Sequence, residues 1–152
     1  MTNGEKIAGL ERKIRVLQMA YAGALADSVL RYSRAGILDE LTKRKRDEQM
    51  KTSAILAERF GVKEPKQAFG NVQDLFDCAH WVYEDTETGF TAVCENCMLC
   101  ALCKKMGAGS PCQIYCLSPI EASIKGINPN AEFAVTKTLW DDTRCEVKVS
   151  YR

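Results

Sequence analysis

Four cysteines recur at strict three-residue steps, Cys94-x-x-Cys97-x-x-Cys100-x-x-Cys103, and this run limits how its segment can fold. On a continuous α-helix each three-residue step falls about 60° short of a full turn, so Cys94 and Cys103 would face opposite sides. Wrapped as a loop, the same four thiols can converge on one centre. Three more cysteines, Cys112, Cys116 and Cys145, follow the run, and only Cys78 precedes it. Thiols this dense serve metal or iron–sulfur ligation, disulfides, or nucleophilic and redox chemistry.

The surrounding sequence narrows these uses. The N-terminus, Met1 to Lys6, has no apolar leader, and no stretch approaches the ~20 apolar residues of a membrane span. A cytoplasmic location is therefore expected, where thiols stay reduced and ligands or reactive groups are favoured over structural disulfides. The net charge of +1 gives no electrostatic footprint for nucleic acid or an acidic membrane. At 152 residues the chain is expected to form one domain with its own core.

Cys-x-x-Cys-x-x-Cys also opens bacterial ferredoxin motifs, but there the last cysteine comes later and proline usually follows it. Here Cys103 arrives one residue early and precedes Lys104. The contiguous pairs also lack the long separating loop of zinc sites. The expectation is that at least three of Cys94, Cys97, Cys100, Cys103, Cys112, Cys116 and Cys145 share an iron–sulfur cluster or Zn2+, with Cys78 left out. Reactive thiols and buried packing thiols are the alternatives.

Residues 1–66 read as a helical layer and residues 67–152 as a cysteine-rich α+β part. Ile7, Leu10, Ile14, Leu17, Tyr21, Leu25 and Tyr32 form a stripe along a helix over 5–34. Ala20, Ala22, Gly23, Ala24 and Ala26 make its middle small, which predicts close packing within the fold or in a homodimer. A second helix is expected from Ile37 to Phe60, capped by Gly61, with Lys43 to Glu48 as a solvated face. Asn71 is expected to cap a short helix to about Ala79. Trp81–Tyr83 and Phe90–Val93 read as a hairpin. Ser110-Pro111 starts a helix that Ser118-Pro119 kinks or restarts and Gly126 with Asn128-Pro129 ends. Two alternating stretches flank the Asp141-Asp142 turn as a C-terminal hairpin, with Cys145 facing inward.

Cys112 and Cys116, four apart in that helix, share a face. His80 is the only histidine, so Cys–His catalysis would have to use it. The stretch Leu56 to Val62 has the look of the first half of a helix-turn-helix, yet the segment after it contains Pro65 and Gly70, which argues against DNA binding.

From Cys116 to Val147 the chain resembles the L-2-amino-thiazoline-4-carboxylic acid hydrolase family. The shared features are Cys116 on a helix, Gly126-Ile127-Asn128-Pro129, Thr136-Lys137-Thr138-Leu139, and Cys145 opening the last strand, with Cys94 after the preceding strand. The helix-then-hairpin end is also similar to vinyl-4-reductase-like sensor domains, some of which bind zinc. The resemblance implies an α+β ligand-binding domain with N-terminal helices packed on an antiparallel sheet. It implies hydrolysis of a cyclic amidine C–N bond in a small-molecule ligand, with Cys116 or a metal-bound water attacking and His80 moving the proton. Pro119 departs from the family's pattern, which tends to carry an acidic residue there. The rival reading is a non-catalytic iron–sulfur or zinc protein for sensing or electron transfer.

Overall fold

The computed structural model describes residues 1–151. Four helices come first: α1 (Asn3–Arg34), α2 (Leu38–Lys51), α3 (Ser53–Arg59) and α4 (Pro65–Phe76). The hairpin β1 (Val82–Asp85) and β2 (Gly89–Cys94) follows. Next come α5 (Met98–Met106), a π-helical segment (Cys112–Leu117), α6 (Ser118–Ile127), β3 (Glu132–Lys137) and β4 (Cys145–Ser150). The four strands form one antiparallel sheet in the order β1-β2-β4-β3. The fold is α+β, as the sequence implied.

Each helix boundary has a local cause. Thr2 and Glu5 form a reciprocal capping box that starts α1. The helix expected over 37–60 is two helices, α2 and α3, broken at Thr52. Gly61 takes the left-handed conformation that ends α3. Glu64 and Gln67 cap each other with Pro65 at the first turn, so α4 begins earlier than an Asn71 cap would allow. The Asn71 amide instead donates to the Phe60 carbonyl at 2.7 Å, holding the α3–α4 connection.

The sheet buries one face through strict alternation. Phe90, Ala92 and Cys94 on β2 pair with Val149, Val147 and Cys145 on β4, and all six are buried. Phe133 and Val135 extend that face on β3. Phe69 of α4 sits fully buried against it, with its ring 4.9 Å from Trp81, 5.9 Å from Phe90 and 6.2 Å from Phe133. Leu117, Ile120 and Ile124 of the π segment and α6 complete this core. Burying side chains of this size contributes about 1.5–3 kcal/mol each.

Within the chain Gly23 makes no close helix contact, because a Cβ added there would meet nothing within 4 Å. It is Ala22, Ala26 and Val29 that are buried, Ala26 and Val29 against Leu99, Cys103 and Ile114. α6 ends at Ile127 with Asn128 as its cap, at the expected stop. Gly126 lies in its last turn, where a Cβ would stand 2.2 Å from the Ser53 carbonyl oxygen. This glycine lets α3 and α6 cross closely.

Candidate functional site

The cysteine run is not a loop. β2 ends at Cys94, Cys97 caps α5, and Cys100 and Cys103 lie inside that helix. The Cys97 thiol itself does the capping, accepting the Cys100 N–H at 3.4 Å. The helical drift turns Cys103 away from the other three, into the core beneath α1. Among the described residues, no three His, Cys, Asp or Glu side chains stand where they could hold a metal ion.

The fold nonetheless collects the thiols around one region. Cys94, Cys97, Cys100, Cys112, Cys116 and Cys145 surround a small void of about 20 Å³, closed by Trp81, Leu99 and Leu117. Cys112 is buried on the wall of this void, at the start of the π segment. Cys78, set aside on sequence grounds, belongs here too. Its carbonyl accepts the Met98 N–H at 2.8 Å, and Ala79 bridges to Cys97, which draws the residue before β1 onto α5. Adjacency of Cys78 to the run could not be read from their separation along the chain.

All eight cysteines are free thiols. Burial pushes Cys97 and Cys100 up to about 12, and Cys103 and Cys145 up to about 11. Desolvation also raises Cys116 well above the ordinary thiol value, and neighbouring thiols add to the effect. At neutral pH these groups carry their protons.

A larger cavity of about 220 Å³ lies beside the thiols, between the helical layer and the π segment. Cys78, Cys97 and Cys116 form its thiol side. Gln18, Tyr21, Ala22 and Leu25 of α1, Leu56, Arg59 and Phe60 near α3, and Pro119, Ile120 and Ser123 of α6 line other sides. From α2 come Lys45 and Gln49, one turn apart on the inner face. The stretch Lys43 to Glu48 is therefore not wholly solvated, since Lys45 and Arg46 turn inward. Arg46 grips the Glu121 carboxylate of α6 through Nη2, at 3.0 and 3.1 Å.

The π turn explains the position of Lys45. Pro119 has no N–H to continue an α-helical ladder, and the Ser118 N–H reaches back to the Gln113 carbonyl instead. That register frees the Ile114 carbonyl, which Lys45 Nζ caps at 2.6 Å while lying 4.4 Å from the Tyr115 ring centre. Desolvation lowers the Lys45 pKa. The Gln49 Oε1 atom is buried and, among the described residues, has no hydrogen-bond partner. A buried acceptor left open costs about 1–3 kcal/mol, and a ligand N–H would offset that cost.

His80 is not brought to this cavity. Its imidazole is 68% exposed with Nε2 3.1 Å from Asp77, above an open surface depression with Glu95, Asn96 and Lys104. The structure thus unites Cys116 with Lys45, Gln49 and Arg59, not with the histidine. Nothing in the polar run of α2 announced Gln49. Only the inward four-residue step from Lys45 could have pointed to it.

The sequence model of the family described as L-2-amino-thiazoline-4-carboxylic acid hydrolase matches residues 11–148. The match covers most of the chain, not only the C-terminal third, and the likeness to vinyl-4-reductase-like domains gains no support from it. No curated protein and no solved structure matches the chain.

Proposed function

The chain belongs to the L-2-amino-thiazoline-4-carboxylic acid hydrolase family, and on that premise we propose that it binds a small cyclic amidine carrying a carboxylate and hydrolyses its C–N bond. The cavity lined by Gln49 together with the thiols carries this reading, the buried Gln49 Oε1 having no donor among the described residues. An amidine N–H is the donor Gln49 lacks, and the cationic Lys45 and Arg59 suit a carboxylate. At about 220 Å³ the cavity is smaller than the ~300–1,000 Å³ pockets that take drug-sized molecules, which favours a compact single-ring ligand.

Cys116 is desolvated and starts as a neutral thiol, so its proton has to leave as the sulfur attacks. As its sulfur bonds to the amidine carbon, the C=N electrons move to the ring nitrogen and the thiol proton follows them. The exocyclic nitrogen then re-forms a C=N bond as the ring C–N bond breaks, and its proton passes to the departing nitrogen. Water adds to the thioimidate, the carbonyl forms, and sulfur leaves with a proton. The net change is one water consumed and a ring-opened thiocarbamate formed. The substrate's own basic nitrogen takes the proton, so no histidine is needed.

The test is incubation of the wild type and Cys116→Ala with L-2-amino-thiazoline-4-carboxylic acid, followed by mass spectrometry. A product one water heavier is expected from the wild type alone. Equal turnover by both proteins would remove Cys116 from the chemistry. Tight binding with no turnover by the wild type would make this a non-catalytic binding domain.

A further inference from the structure

The N-terminal half of α1 stands apart from the rest of the chain. The buried residues of α1 begin only at Ala22, yet Ile7, Leu10, Ile14 and Leu17 upstream are 57%, 59%, 51% and 68% exposed. Their spacing alternates three and four residues, which is the narrow seam of a two-stranded coiled coil. Isoleucine occupies both a positions and leucine both d positions, the pairing that favours a parallel dimer.

The flanking charges agree. Lys6 falls at g and Glu11 at the following e, so a parallel second copy sets Lys6 of each chain beside Glu11 of the other. An antiparallel copy would bring lysine positions together instead. The fold also marks where the seam stops. Tyr21, next on the stripe, stacks on Phe76 at 4.7 Å, and Gln18 donates to the Leu75 carbonyl at 3.0 Å. From that level α4 of the same chain covers the stripe, and exposed Leu75 borders its lower end.

We propose that residues 3–18 form a parallel two-stranded coiled coil with a second copy of this chain. The helix reaches about 24 Å over that length. Gly4 and Gly9 weaken this end of α1, and pairing along the seam offsets that loss. A lipid surface would take a broad apolar face but would not select isoleucine at a and leucine at d.

Sedimentation equilibrium of the full chain is expected to give twice the monomer mass, and Ile14→Lys to give the monomer with unchanged near-ultraviolet circular dichroism. Lys6→Glu and Glu11→Lys should each dimerise at least tenfold more weakly alone and recover wild-type affinity as a mixed pair. That recovery belongs to parallel pairing only. A wild type that stays monomeric, a dimer indifferent to Ile14→Lys, or a monomer that floats with anionic phosphatidylserine vesicles would each overturn the proposal.

Discussion

Lys45 of α2 donates from Nζ to the Ile114 carbonyl at 2.6 Å, filling the acceptor that the π register leaves open. One half-buried cation thereby ties the helical layer to the segment bearing Cys112 and Cys116. Pro119 is the reason the contact exists. Removing the N–H at that position widens the turn, and the widened turn calls for an outside donor.

Lys45→Met should therefore destabilise the protein by about 1–2 kcal/mol, the cost of leaving a carbonyl without its charged donor. Lys45→Arg should recover part of this. Urea unfolding checks it, with an unchanged m-value showing that the fold itself persists.

Stability at alkaline pH follows from the thiols. Cys100, Cys103 and Cys145 are buried and ionise only near 11 to 12, whereas in the unfolded chain they ionise near 9. A raised folded pKa gives stability that is complete below about pH 9 and lost as pH climbs toward the folded values. Each such thiol accounts for at most about 1.4 kcal/mol per pH unit in that window. Urea midpoints should be flat from pH 7 to 8.5 and fall steeply above 9. Cys103→Ala should make the fall shallower.

Gly126→Ala should destabilise by about 1–3 kcal/mol, because its methyl group would meet the Ser53 carbonyl at 2.2 Å. Gly23→Ala, at an open position of α1, should be neutral or slightly stabilising, since alanine is the better helix former. Thermal midpoints of the two variants separate packing from propensity.

Much of the fold was legible because its elements carry regular periods. The α1 stripe, the β1–β2 hairpin and the alternation of Cys145, Val147 and Val149 all follow from side chains that must share a face. The break at Thr52 was not legible, because Thr52-Ser53 interrupts no apolar period. The cysteine run misled for a physical reason. Three-residue spacing fits a ligand loop and the first turns of a helix equally, and α5 takes the second course with Cys97 as its cap. The site was legible on its thiol side only. Lys45 reads as part of a solvated face and Gln49 carries no signal, whereas the fold sets both against the cavity beside the π segment.

The central claim is that the cavity between α2 and the π segment is the ligand site. Calorimetric titration of L-2-amino-thiazoline-4-carboxylic acid into Cys116→Ala, which blocks turnover, tests it most directly. Saturable one-to-one binding is expected. Adding Gln49→Leu should weaken it at least tenfold, about 1.4 kcal/mol, while leaving the unliganded protein no less stable. An affinity unmoved by Gln49→Leu, or no heat of binding at all, would contradict the account.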